Sequence, residues 1–138
     1  YAPSAAADCG SADNLAAPSG TPMPVSPPLK ANATLRYEFR AGGLAAHVQA
    51  AGVYQSAARS LLATADEAVL GEMPAHGSLD LSAGIGANGW SAALSIENAL
   101  DSRGQVSRYL ICSSAYCQIP YVVPIRPRTL SLQFGQKF

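Results

Sequence analysis

The stretch Thr34-Leu35-Arg36-Tyr37-Glu38-Phe39-Arg40 alternates without a break between apolar and polar or charged residues. Successive side chains of a β-strand point to opposite faces, so a period of two predicts a strand with Leu35, Tyr37 and Phe39 on one side. Thr34, Arg36, Glu38 and Arg40 take the other. Ala41-Gly42-Gly43 then reads as a tight turn, and Leu44 to Tyr54 as the returning strand. Here Leu44, Ala46, Val48, Ala50 and Tyr54 share a face opposite His47, Gln49 and Gln55. The alternation is softer in this strand, because Ala45, Ala51 and Val53 lie with the polar set.

The same pattern recurs twice downstream. Ser78 to Ile85 places Leu79, Leu81, Ala83 and Ile85 on one face. Gly86-Ala87-Asn88-Gly89 is a hairpin signal. The return strand places Trp90, Ala92, Leu94 and Ile96 opposite Ser91, Ala93, Ser95 and Glu97. A last strand is expected from about Val122 to Phe138, with Leu130, Leu132, Phe134 and Phe138 alternating with Thr129, Ser131, Gln133 and Lys137. Ser56 to Glu72 reads as a long connection in which Leu61, Leu62, Ala65 and Val69 fit either a short helical turn or a loop. Asn98 to Pro120 reads as a long polar connection. The expectation is an all-β, antiparallel meander of about five strands, joined by short, long, short and long connections.

Composition narrows the setting. The 138 residues carry 9 Lys plus Arg against 9 Asp plus Glu, so no basic surplus is available to neutralise phosphates, and nucleic acid is not an expected partner. Charged residues are 13% of the chain, where a soluble surface uses about 25–35%. Of the 49% apolar residues 26 are Ala, and only 10 residues are aromatic. No apolar run approaches the roughly 18 residues of a membrane-crossing helix. Residues 1–28 hold six of the ten prolines and two charges, Asp8 and Asp13, and read as an irregular loop or a disordered tail. The chain opens in this loop-like stretch, without Met and without a basic segment leading into an apolar run, so it is read as the end of a longer protein.

Alternation alone fits a soluble sheet as well as a membrane barrel. Three features favour the barrel. The runs are about as long as the 9–11 residues a tilted strand needs to cross the hydrocarbon. With both short turns on one side, Tyr37, Phe39, Trp90, Phe134 and Phe138 converge on one rim as an aromatic girdle, while Tyr54 and Tyr121 fall near the other. The chain also ends on an apolar aromatic residue. Short turns on one side and long loops on the other are the habit of transmembrane barrels. Five strands cannot close such a barrel, so further strands are expected upstream. This reading requires that Leu35, Leu81, Leu94 and Leu132 are not buried together in a compact interior.

Three segments resemble TonB-dependent outer-membrane receptors. Trp90-Ser91-Ala92-Ala93-Leu94-Ser95-Ile96-Glu97-Asn98-Ala99-Leu100-Asp101 looks like their penultimate strand and its Asn-x-x-Asp turn. Pro127-Arg128-Thr129-Leu130-Ser131-Leu132-Gln133-Phe134-Gly135-Gln136-Lys137-Phe138 resembles their terminal strand. Pro28-Leu29-Lys30-Ala31-Asn32-Ala33-Thr34-Leu35-Arg36-Tyr37 is similar to the start of an earlier one. The resemblance covers about residues 22 to 138. It implies that residues 1–29 are an extracellular-type loop and 30–138 the C-terminal strands of a 22-stranded transmembrane β-barrel in the outer membrane of a Gram-negative bacterium. The whole receptor would take up a scarce ligand, a siderophore-iron chelate, cobalamin or a carbohydrate, with energy delivered by TonB through an upstream plug. Leu130, Leu132, Phe134 and Phe138 match the signal read by the barrel-assembly machinery. Gln136 departs from it, where an apolar residue is commoner.

On this reading the implied partners are outer-membrane lipid, the assembly machinery, TonB and an unidentified small molecule, with no cofactor and no catalytic role. Cys112 and Cys117 fall in an outer loop and suit a disulfide at an oxidising surface; half of a metal site is the alternative, with no His nearby. Cys9 is left without an assigned partner. Arg103 and Arg108 suit either an anionic ligand at the outer mouth or a loop salt bridge. His47 and His76 lack a nucleophile elbow or an activated Cys and read as solvated lumen or loop residues. Other outer-membrane barrels, a porin or an autotransporter, are the nearest rivals, and a soluble secreted β-sandwich binding module is the rival of another class.

Overall fold

The computed structural model describes residues 19–62, 64–111 and 119–137. It contains β1 (Lys30–Ala41), β2 (Leu44–Gln55), α1 (Thr64–Leu70), β3 (His76–Ala87), β4 (Trp90–Glu97), β5 (Gln105–Ile111), β6 (Ile119–Pro124) and β7 (Thr129–Gln136). Five strands make one antiparallel sheet in the order β1-β2-β3-β4-β7, and β5 and β6 form a separate two-stranded hairpin. The fold is therefore all-β, with a single short helix among the described residues. Cys9, Cys112, Cys117 and Phe138 lie outside the described residues, as does most of the irregular loop expected over 1–29.

Two tight turns set the register. Gly42 and Gly43 both have positive φ, 58° and 88°, and so do Asn88 and Gly89, 43° and 93°. Positive φ at both central residues is what a two-residue hairpin turn needs to match the twist of its strands. Each turn joins its strands directly, Ala41 to Leu44 and Ala87 to Trp90. The long connections, 56–75 and 98–128, consequently emerge at the opposite end of the sheet.

The structure revises two details of the sequence reading. The connection expected over Asn98–Pro120 holds β5 and the start of β6. The last strand, expected from about Val122 to Phe138, is divided: β6 ends at Pro124 and β7 begins at Thr129. Pro120, Pro124 and Pro127 supply the reason, since proline cannot donate to a ladder. The five strands of the main sheet are nevertheless the five expected.

Backbone pairing reaches past the strand ends. Lys137 N–H donates to Gly89 O (2.6 Å), and Ala99 N–H donates to Leu79 O (2.7 Å). β4, eight residues by itself, thus stays hydrogen-bonded from the turn at Gly89 to Ala99. At the far end, residues 56–75 fold on themselves. Ala58 and Met73 pair backbone to backbone, and Ala58, Leu70 and Met73 are buried, Met73 to 1% exposure. The segment before β1 is tied to this loop by Val25 N–H to Arg59 O (2.7 Å) and Ser56 N–H to Leu29 O (3.0 Å).

Candidate functional site

The register assembles the sheet's two faces row by row. Leu35, Ala50, Leu81, Ile96 and Leu130 lie side by side across all five strands. Tyr37, Val48, Ala83, Leu94 and Leu132 form the next row, and Phe39, Ala46, Ile85, Ala92 and Phe134 the one after it toward the tight turns. No charged side chain interrupts these rows, and apart from Ala46 they are not buried. Leu35 and Leu132 are 76% and 80% exposed, Phe134 is 68% exposed, and Leu81 and Leu94 are exposed as well. The four leucines that a compact interior would have brought together instead share an open surface. A shallow groove of about 360 Å³ runs between Leu35, Tyr37, Leu81 and Leu94.

The other face is built from the alternate residues. Arg36, Gln49, Ser82, Ser95 and Ser131 form one row; Glu38, His47, Gly84, Ala93 and Gln133 form the next. Arg36 Nε donates to Glu38 Oε1 (2.8 Å) along β1 and its Nη1 to Gln49 Oε1 (3.3 Å) across to β2. The His47 ring lies over Gly84, where a Cβ would come within 2.4 Å of it. His47 lies across from Glu38 in the register, and among the described residues no group of three or more His, Cys, Asp or Glu could hold a metal ion.

Of the expected girdle, Phe39 and Phe134 share one row, Trp90 sits in the next row toward the tight turns, and Tyr37 stacks on Phe39 with ring centroids 5.6 Å apart. Tyr54 pairs with Ala31 and Gly77 at the far end. Leu130, Leu132 and Phe134 all point to the apolar face of β7, the exposed edge strand.

Sequence reasoning did not foresee a polar cleft at the long-loop end. It measures about 380 Å³ and is lined by Val53, Gln55, His76, Ser78, Asp80, Glu97, Asn98, Ile125 and Arg126. Asn98, 4% exposed, organises it. Its Nδ2 donates to the carbonyls of Ser102 and Arg126 (both 2.9 Å), its Oδ1 accepts from Ser102 N–H (2.9 Å), and its own N–H donates to Asp80 Oδ1 (2.8 Å). All its buried polar groups are thus used, which a buried amide requires. Asn98 and Asp101 both have positive φ, 49° and 52°, and Asp101 N–H closes the turn on Asn98 O (2.8 Å). The Asn-x-x-Asp spacing was the available signal; its partner, the Arg126 carbonyl, was not.

Beside it Arg126 Nη1 donates to Glu97 Oε2 (2.7 Å). That hydrogen bond, and then the Glu97 charge, hold the guanidinium above the usual arginine range. His76 rests on Gly104, where an added Cβ would come within 2.2 Å of the ring. Arg103 is exposed in the turn after Asp101. Arg108 is half-buried, and its partners among the described residues are Gln105 and the Leu70 carbonyl.

Comparison of the chain with protein-family models, with curated proteins and with solved structures gave no match. No helix among the described residues is long and apolar enough to cross a membrane, which says nothing of a membrane crossed by strands.

Proposed function

We propose that this sheet is part of the wall of a transmembrane β-barrel in a bacterial outer membrane, from the C-terminal part of a TonB-dependent receptor that takes up a scarce small ligand. The observation that carries the reading is the uninterrupted apolar surface spanning five strands, against which no second layer lies among the described residues. Among the described residues only Ala46, Ala58, Leu70 and Met73 are buried apolar side chains, and three of these belong to the loop over 56–75. Burying each large apolar side chain is worth about 1.5–3 kcal/mol, and here that burial is left to the surroundings. Lipid supplies it without demanding charge on that face.

Dimensions and edges support the same reading. β1, β2 and β3 have 12 residues each; at about 3.3 Å per residue and a tilt of about 45° they rise roughly 26 Å, close to the apolar band of such barrels at about 25 Å. β1 and β7 are open edges whose backbone groups would be unpaired in lipid, so the reading requires further strands to close the barrel. The TonB assignment rests on the three segments quoted above. In this scheme the chain contributes wall, outer loops and assembly signal, and no catalysis.

The test is site-specific quenching by brominated acyl chains in the intact, membrane-assembled protein. A fluorophore at position 35, 94 or 132 should be quenched and one at 36, 93 or 133 should not. Equal accessibility of both sets, or recovery of the protein as a folded soluble monomer, would overturn the proposal. Ligand uptake that needs TonB separates a receptor from a porin or an autotransporter, and removal of Phe138 should lower the amount of heat-modifiable protein in the outer membrane.

A further inference from the structure

The helix α1 has seven residues, well below the roughly 12–15 at which a helix becomes even marginally stable by itself. Its supports can be traced one by one. At its start the Glu67 carboxylate folds back and accepts from the N–H groups of Ser60 (3.2 Å) and Leu61 (2.9 Å). At its end Gly71, with φ of 74°, donates its N–H to Glu67 O (2.8 Å) in a left-handed cap. The Leu70 carbonyl, among the last that no helical N–H can reach, is taken by Arg108 Nη1 at 2.9 Å.

Arg108 belongs to β5, in the other long connection. Its Nε is fixed by Gln105 Oε1 (2.6 Å), and an added Cβ on Gly71 would come within 3.1 Å of its Nη1. Among the described residues neither ion pair includes Arg108, and its cation sits at the negative end of the helix dipole. The hairpin is itself held at its base, by Asn98 on Arg126 O and by Ile125 N–H on Gly104 O (3.0 Å). The polar cleft is lined by His76 and Ser78 at the start of β3 and by Asn98 and Arg126 from the second connection.

We propose that Arg108 is a strut that couples α1 to strand β5, so that residues 64–71 and 105–111 gain and lose their order together. A bond from a charged donor to an otherwise unsatisfied carbonyl couples two segments 38 residues apart in sequence. Coupling is reciprocal: what loosens the hairpin loosens the helix, and the converse. The inference concerns the loops alone and does not depend on what covers the sheet's apolar face.

Hydrogen–deuterium exchange on the intact protein tests it. Arg108→Gln should accelerate exchange of the Leu70 and Gly71 amides at least tenfold and loosen residues 105–111, leaving β3 and β4 as protected as before. Arg108→Lys, which keeps a charged donor for Leu70 but not the second bond to Gln105, should fall between. Ala68→Pro, which breaks the helix from within, should in turn speed exchange in 105–111. Unchanged α1 protection in Arg108→Gln, or an unmoved hairpin in Ala68→Pro, would overturn the coupling. So would loss of β3–β4 protection in Arg108→Gln, because a strut between loops has no hold on the sheet.

Discussion

The five-stranded sheet and the loop over residues 56–75 are organised on opposite principles. The sheet has strands of eight to twelve residues in continuous register yet almost no buried side chain among the described residues; its order comes from backbone pairing. The loop has only a seven-residue helix and one isolated bridge between Ala58 and Met73, but it encloses Ala58, Leu70 and Met73 and turns a buried carboxylate onto two amides. The difference teaches where each region is vulnerable. The loop should respond to cavities as a soluble protein does, and the sheet to polarity on one face only.

The largest expected effect breaks the loop. Met73→Ala empties its best-buried site and should cost about 2–5 kcal/mol of local stability, read as faster amide exchange in 58–73 with β3 and β4 unchanged. Next, Leu94→Arg on the apolar face should cost about 2–4 kcal/mol if that face meets the middle of a bilayer, read as reduced membrane-assembled protein; Ala93→Arg, one residue away on the polar face, should be tolerated far better. If the two behave alike, the division of the sheet into faces is wrong. Asn98→Ala strands the backbone groups of Ser102 and Arg126 and should cost about 1–3 kcal/mol, loosening the hairpin base between 98 and 128. Smallest of all, Glu38→Gln removes an exposed ion pair with Arg36, and any change in unfolding midpoint should correspond to less than about 1 kcal/mol.

Much of the sheet was legible because its signal is local. Thr34–Arg40, Ser78–Ile85 and Trp90–Glu97 each carry their own period of two, and each tight turn names itself through Gly42-Gly43 or Asn88-Gly89. The β5–β6 hairpin was not legible, since Pro120 and Pro124 obscure one strand and an irregularity between Gln105 and Ser107 breaks the alternation of the other. The polar cleft and the Arg108 contact were illegible for a different reason. Asn98 meets Arg126 across 28 positions and Arg108 meets Leu70 across 38, and no spacing rule announces such partners. Arg108 suited an anionic ligand or a loop salt bridge in the sequence, because a main-chain acceptor such as Leu70 O is something composition never displays.

The strand order β1-β2-β3-β4-β7 has a consequence for timing. Two-residue turns let β1–β2 and β3–β4 zip in about 1–10 μs, whereas β7 reaches β4 only after the whole of 98–128 has been drawn into a closed loop, at an entropic cost that grows with its length. During maturation β7 is therefore the last of these strands to be committed. Until then its Leu130, Leu132 and Phe134 stay together on one side of an unpaired strand.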